Sequence, residues 1–310
     1  MTTFTLESAD LLPRLDTQDS SLPSYWRRQP TLLSGQVLGN PLTANPAVFR
    51  SWCQQPASVR IYMLADEIGL GKARALKLTR PADALQLLDE AEDSGVSITV
   101  LISNAQAVSG EIRRLRKQLG IALPWREDDV VATYSHEGAG IGFHVGHEDG
   151  FIVQLAGARR WRVWAPSAVP AQYQLAVLGD PRCRTLDSPS RTSESPLADV
   201  VTQAGDALHV PALYPHEGVT LDGPSVSLSV AWHGVNRFRL AQRAGLLDVA
   251  PESLDSPADT VALFGLLPDL GPRGRRDLAT SLAVDLLTLT SQSADPATIT
   301  AALTAALGVS

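Results

Sequence analysis

Apolar residues between positions 129 and 233 occur in short runs, with glycine, proline, serine and aspartate residues between them. Short runs rich in β-branched and aromatic residues predict strands, and several such strands in succession predict a β-barrel or a β-sandwich. The predicted strands are Val130–Tyr134, Gly142–Gly146, Phe151–Ala156, Arg160–Trp164, Ala207–Val210 and Val226–Trp232.

The region before these strands mixes helical and strand patterns. Pro81 begins a predicted helix in which Leu85, Leu88 and Ala91 lie on one face. Residues 96–102 follow as an apolar, β-branched run that predicts a buried strand. This part of the chain is therefore expected to have mixed α/β structure.

Beyond Asn236 the pattern becomes helical. Asp295 and the proline after it predict the start of the last helix. An earlier predicted helix carries a stripe of leucines at Leu278, Leu282, Leu286 and Leu289. These changes of pattern predict three regions: a mixed α/β region at 1–125 that packs on the barrel, a barrel core at 126–236, and a helical region at 237–310 that could pair with a second copy of the chain.

Composition narrows the class of protein. The 310 residues include 44% hydrophobic and 19% charged residues, as in an ordinary globular protein. A formal net charge of −7 argues against binding to nucleic acid, which requires clustered positive charge. We find no leader pattern and no apolar run approaching about eighteen residues, so we expect a cytoplasmic protein that does not cross a membrane. The two cysteines are expected to be reduced thiols.

Two histidine-containing segments carry candidate chemistry. His144 stands two residues before Gly146, and His216 follows about seventy residues later. Non-haem iron oxygenases hold iron through two histidines and one carboxylate, and the other positions on the metal stay open. Side chains at positions i and i+2 of a strand project to the same side, so a His-x-Asp strand and a later histidine can bind one ion.

Residues 128–164, with 205–216 and 228–230, resemble the JmjC-type, cupin-fold ribosomal oxygenases, which hydroxylate protein side chains. The segment from Tyr25 to Pro30 resembles the N-terminal signature of that family. The resemblance implies a mainly β fold with helices, of the α+β class. The architecture that the resemblance implies is a double-stranded β-helix (JmjC/cupin jelly roll), with N-terminal α/β elements and a C-terminal helical segment that supports dimers in the family.

The same resemblance assigns roles to individual residues. His144 and His216 correspond to the ligands of Fe(II), and Gln154 lies where the family pattern requires it. Arg159 corresponds to the residue that binds the distal carboxylate of 2-oxoglutarate, and Ser229 is a lesser candidate for that carboxylate. The implied activity is hydroxylation of a side chain in a peptide, a protein or a peptide-like metabolite.

Gly146 departs from the family pattern, because it stands where the metal-binding aspartate is expected. Asp149 or Glu148 could supply the missing ligand. Asp149 is an odd number of residues from His144, however, so on a regular strand it would face away from the metal. Only a bulge or a turn would bring it back. His147, beside the gap, is interpreted as supporting the site or facing the substrate.

Two further interpretations of Gly146 stay open. In one, two histidines alone hold the metal, and water or halide takes the vacant position. Water there fits a hydroxylase, whereas halide fits an iron and 2-oxoglutarate halogenase. In the other, catalysis has been lost and the chain is a cupin-fold binding protein. Hydroxylation is the first choice, because the resemblance is to protein hydroxylases.

The remaining aromatic and histidine residues are interpreted as structural. His209 is expected to pack within a strand, and Trp161 and Trp164 to pack on a hairpin. His136 and His233 receive no predicted partner.

Overall fold

The computed structural model describes residues 26–34, 44–54, 58–64, 73–77, 81–118, 128–180, 183, 192–246, 263–290 and 295–309. Tyr25 and the side chains of Leu286 and Leu289, which were part of the predictions above, lie outside the residues described.

The described part of the chain contains eleven strands. They are β1 (Thr31–Leu33), β2 (Ser58–Leu64), β3 (Ala73–Lys77), β4 (Ile98–Ser103), β5 (Asp128–Ser135), β6 (Glu148–Ala156), β7 (Arg159–Val163), β8 (Ala198–Thr202), β9 (Ala207–Val210), β10 (His216–Thr220) and β11 (Ser225–His233).

Helices precede, interrupt and follow the strands. They are α1 (Pro46–Cys53), α2 (Pro81–Ser94), α3 (Ala105–Val108), α4 (Gly110–Gln118), α5 (Ala171–Leu178), α6 (Arg237–Arg243), α7 (Pro272–Thr290) and α8 (Pro296–Ala306), with a 3-10 turn at Pro166–Ala168. None of the helices described combines the length and the apolar composition needed to cross a lipid bilayer.

The described strands form two sheets. The larger sheet has the order β1-β9-β6-β11-β5-β4-β2-β3, and the smaller has the order β10-β7-β8. Each pair of neighbouring strands is antiparallel. Strands of both sheets line one cavity, as in a double-stranded β-helix. The predicted α+β class with a double-stranded β-helix is confirmed.

The N-terminal elements extend the large sheet. β4 pairs with β5 from Thr99–Ser135 to Ile102–Ala132, and β2 and β3 continue beyond β4. Side chains of α1, α2 and α4 share a core with the barrel strands. This core explains why an apolar helix face precedes the barrel in the sequence. The boundaries predicted for the three regions stay predictions.

The structure differs from the predicted strands at one important place. Residues 142–146 were predicted to form a strand, but Gly142 has a φ of +78°, and the segment contributes only an isolated bridge between His144 and His216. A positive φ is incompatible with extended β-structure and is readily adopted by glycine. The strands β8 and β10 were not predicted, because their apolar runs are short and interrupted by polar residues.

The C-terminal helices share a second core with α6. Leu240, Leu282, Ile299 and Leu303 are each nearly or fully buried there. The side chain of Asp295 caps α8 by accepting hydrogen bonds from the first-turn backbone. The predicted start of the last helix is therefore confirmed, whereas dimerisation through this region stays a prediction.

His209 packs in the core on a strand, as the sequence predicted. It is fully buried on β9, its ring stacks on that of Trp26 with centroids 4.9 Å apart, and its Nδ1 lies 3.0 Å from the carbonyl oxygen of Gly150. Burial lowers the pKa of His209 to about 4. The side chain is therefore neutral in the folded protein near neutral pH.

We expect this burial to make folding stability depend on pH. The unfolded chain protonates His209 below pH 6.5 and the folded chain only below about 4, so the unfolded state binds more protons over this interval. Stability is then lost as the pH falls from 6.5 towards 4, by up to about 3 kcal/mol. Denaturant unfolding at several pH values should show a smaller loss for His209→Phe than for the wild type. Equal losses would contradict the assignment.

Candidate active site

A cavity of about 310 Å³ lies between the two sheets. Alternate residues of each strand line it, as the two-residue period of a strand requires. Glu148, Gly150 and Ile152 of β6 face the cavity, and Arg159 and Trp161 of β7 lie across from them. The size falls at the lower end of the range for small-molecule pockets.

His144 and His216 are brought together by their own backbones. The amide of His144 donates to the carbonyl oxygen of His216 at 3.0 Å, and the amide of His216 donates back at 2.9 Å. The centroids of the two rings are 4.2 Å apart, and both residues line the cavity. The predicted ligand pair is therefore adjacent in space, although only His216 lies on a regular strand.

The hydrogen bonds of the two rings fix which nitrogen is available. Nδ1 of His144 lies 3.0 Å from the carbonyl oxygen of Gly142, and Nδ1 of His216 lies 2.9 Å from that of Tyr214. A carbonyl can only accept, so Nδ1 carries the proton in both rings and Nε2 keeps its lone pair. Burial lowers the pKa of His144 and brings the pKa of His216 to about 3. Two neutral imidazoles with free Nε2 atoms fit a divalent metal ion.

Arg159 lies in the same cavity as a buried cation. Its side chain donates to Ser135 Oγ at 3.1 Å and to Ser227 Oγ at 3.4 Å, while its Nε has no hydrogen-bond partner among the described residues. None of the described carboxylates forms an ion pair with it, and burial lowers its pKa to about 10. The side chain remains charged near neutral pH. A buried charge without a counterion is costly, so this position is suited to binding an anion.

Trp161 supplies a further donor to the wall beside Arg159. The guanidinium carbon of Arg159 lies 5.1 Å from the centroid of the Trp161 ring. The buried indole N–H of Trp161 has no acceptor among the described residues. The prediction of a packing role for Trp161 is thus incomplete, because the residue also lines the cavity.

Ser229 lines the cavity, but the serine that contacts Arg159 is Ser227. The two serines are two residues apart on β11 and therefore face the same side. Ser229 was named as a candidate for the carboxylate of 2-oxoglutarate only because of its position in the family pattern. Ser135, on the neighbouring strand β5, had no sequence signal.

The space beside Gly146 is taken by Glu148. A Cβ atom built on Gly146 would lie 2.5 Å from Oε2 of Glu148. A carboxylate oxygen therefore occupies space that any side chain at position 146 would have to enter. Glu148 also lines the cavity and raises the pKa of His144 against the larger effect of burial.

Asp149, the other candidate for the missing ligand, is not brought to the histidines. It is fully buried, and its Oδ2 lies 3.2 Å from Nε of Arg27. Its Oδ1 accepts a hydrogen bond from the backbone amide of Ala212 at 2.9 Å. Arg27 also contacts Asp269 at 3.6 Å, so Asp149 links the N-terminal segment and the C-terminal region to the barrel. Strand parity correctly indicated that its side chain faces away from the cavity.

A second histidine pair lies next to Glu148. Nδ1 of His233 is 2.7 Å from Nε2 of His147, and Oε1 of Glu148 is 3.6 Å from Nδ1 of each ring. Burial lowers the pKa of His147, and the charge of Glu148 partly opposes this effect. Sequence analysis assigned His233 no partner, because its neighbours are set only by the pairing of β6 with β11.

Comparisons with known proteins agree with this fold. Residues 114–239 match the family model described as the JmjC domain. The chain is 29% identical over 126 residues to a probable ribosomal oxygenase of Haemophilus influenzae, over 40% of this chain and 29% of that protein. It is 30% identical over 116 residues to the ribosomal protein uL16 3-hydroxylase of Escherichia coli, over 37% of this chain and 28% of that protein. The chain thus spans less than a third of the length of these curated relatives.

Solved structures show the same fold. An X-ray structure of Escherichia coli YcfD has a TM-score of 0.53 at 19% identity, over 89% of this chain and 67% of that one. The structure of this ribosomal oxygenase in complex with cobalt and succinic acid has a TM-score of 0.52 at 20% identity, over 85% and 64% of the two chains. The resemblance to JmjC-type, cupin-fold ribosomal oxygenases inferred from the motifs is confirmed.

We expect Asp149 to contribute to stability and not to metal binding. Asp149→Asn removes the ion pair with Arg27 and leaves that cation without its nearest carboxylate, which costs about 3 kcal/mol. Urea unfolding measures this loss, and Glu148→Gln is the matched control, with an expected change below about 1 kcal/mol. The folded Asp149→Asn protein should bind Co²⁺ as tightly as the wild type. Loss of Co²⁺ binding would show that Asp149 is a ligand.

Proposed function

We propose that this chain, which carries a JmjC domain at residues 114–239, is an Fe(II)- and 2-oxoglutarate-dependent oxygenase that hydroxylates a side chain of a peptide or protein. The observation that carries the proposal is Arg159. A charged guanidinium is buried in the cavity that His144 and His216 also line, and it forms no ion pair with a described carboxylate.

His144 and His216 would hold the iron through their Nε2 atoms. Their Nδ1–H groups donate to backbone carbonyls, which fixes both rings in the orientation and tautomer that metal binding requires. Fe(II) bound there, together with 2-oxoglutarate and oxygen, supplies the oxidising power to convert a C–H bond into an alcohol. The structure of the Escherichia coli relative with cobalt and succinic acid supports both the metal and a dicarboxylate in this fold.

Arg159 would bind the distal carboxylate of 2-oxoglutarate. Guanidinium groups bind carboxylates through two parallel hydrogen bonds, and such charge-assisted bonds are strong where water is excluded. Nε of Arg159 and the indole N–H of Trp161 are both buried donors without a partner among the described residues. A dicarboxylate between the histidines and Arg159 would neutralise the buried cation and provide acceptors for such donors.

Hydroxylation is favoured over halogenation by the position of Glu148. Its Oε2 lies 2.5 Å from the point where a Cβ of Gly146 would be, so a carboxylate oxygen lies in the space that the glycine leaves open. A halide next to this carboxylate would be repelled. The binding-protein alternative is disfavoured, because both free Nε2 atoms and the buried arginine are retained in one cavity.

The proposed substrate class follows from the relatives. One curated relative is named a probable ribosomal oxygenase, and the other is named a 3-hydroxylase of ribosomal protein uL16. We therefore propose a side chain of a ribosomal protein as the first substrate to test. A cytoplasmic location, where ribosomal proteins are found, stays a prediction.

We expect Arg159→Met to weaken 2-oxoglutarate binding by roughly tenfold to hundredfold, because the variant loses hydrogen bonds to a charged group. Isothermal titration with Fe(II) under nitrogen measures the affinity. Arg160→Met is the matched control, since Arg160 faces outward on the same strand and pairs with Asp199 at 2.7 Å. Equal effects of the two substitutions would contradict the assignment of Arg159.

The reaction itself can be tested with ribosomal proteins from the source organism. The purified chain with Fe(II), 2-oxoglutarate and oxygen should form succinate and add the mass of one oxygen atom to a protein side chain. His144→Ala should abolish both products, because one of the two proposed iron ligands is lost. A chlorinated product in buffer with chloride, or succinate formation unchanged by His144→Ala, would contradict the proposal.

A further inference from the structure

His147, Glu148 and His233 form a cluster to which the proposed reaction assigns no metal or substrate contact. His233 is the last residue of β11 and Glu148 is the first residue of β6, and the strand register pairs them directly. His147 precedes Glu148 in the chain. The three residues therefore come together through the pairing of two central strands, which gives their backbones fixed positions.

Gly234 permits the close approach that completes the cluster. Its backbone amide donates to the carbonyl oxygen of His147 at 2.6 Å. A Cβ at position 234 would lie too close to the same oxygen, at 2.4 Å. Only glycine therefore lets the end of β11 pack against the loop that carries His147.

The ligand atoms of the cluster have separations that suit a metal ion. One ligand atom from each residue lies within 4.8 Å of the other two, and Oε1 of Glu148 is 3.6 Å from Nδ1 of each histidine. Ligands at the usual metal–nitrogen and metal–oxygen distances stand about 3.4 Å apart around a tetrahedral ion. The Nε2–Nδ1 contact of 2.7 Å between the two rings would have to lengthen slightly. Small side-chain rotations achieve this, since all three side chains are partly exposed.

We propose that His147, Glu148 and His233 form a second divalent-metal site, adjacent to the His144–His216 pair. Two imidazoles and one carboxylate select borderline cations such as Zn²⁺, Fe²⁺ and Co²⁺. In the part of the chain that the structure describes, this is the group of three metal-ligating side chains that lies closest together. The inference goes beyond the proposed oxygenase and does not depend on it.

Glu148 places the two sites next to each other. Its Oε1 faces His147 and His233, whereas its Oε2 lies beside Gly146, which follows His144 by two residues. A carboxylate between two cations reduces their mutual repulsion. The glycine at position 146 therefore leaves room for a carboxylate that serves the second site.

Counting bound Co²⁺ tests this site. The tag-free protein is titrated with Co²⁺ alone by calorimetry and by visible absorption, and we expect two equivalents for the wild type. His233→Ala and His144→Ala should each bind one equivalent, and the double variant none. His136→Ala, which removes a histidine that does not line the cavity, is the matched control and should bind two. Circular dichroism verifies folding, and His147→Gln replaces His233→Ala if that variant does not fold.

The outcomes separate this inference from the proposed function. A wild-type stoichiometry that is unchanged by both His233→Ala and His147→Gln would overturn the second site. One equivalent that is lost only in His144→Ala would also overturn the second site, and it would support His144 and His216 as the iron ligands. One equivalent that is lost in His233→Ala but kept in His144→Ala would support the second site and contradict the iron-binding role of His144 and His216.

Discussion

Two reciprocal backbone hydrogen bonds hold His144 and His216 side by side, at 3.0 and 2.9 Å. Because the main chain makes this bridge, the separation of the two rings does not depend on side-chain packing alone. Each ring is then oriented by a second hydrogen bond from its Nδ1 to a carbonyl two residues earlier in the chain. The bridge therefore fixes the positions of the two Nε2 atoms that we propose as iron ligands.

The alternation of side chains along the strands separates residues that line the cavity from residues that face away from it. On β7, Arg159 faces the cavity and Arg160 faces outward to Asp199. On β6, Glu148 faces the cavity, whereas Asp149 points to the opposite side and pairs with Arg27. Neighbouring residues of the same charge thus have different roles. Asp149 connects the N-terminal segment to the barrel through Arg27. Glu148 is the carboxylate beside Gly146.

Much of the fold and part of the site could be predicted from the sequence. The central strands followed from their apolar runs, and His144, His216 and Arg159 followed from family positions. Two features depended on geometry that local patterns do not contain. Gly142 adopts a positive φ at the first residue of a predicted strand, which is reduced to an isolated bridge. The register of β6 with β11 brings His233 to Glu148. The contact of Ser227 with Arg159 was also not predicted, because Ser227 and Ser229 lie on the same face of β11 and strand alternation does not distinguish them.

A crystal structure of the protein with Co²⁺ and 2-oxoglutarate tests the central claim most directly. The account predicts an ion bonded to Nε2 of both His144 and His216, and the distal carboxylate of 2-oxoglutarate hydrogen-bonded to the guanidinium of Arg159. A structure in which the ion touches neither histidine, or in which the carboxylate lies away from Arg159, would contradict it.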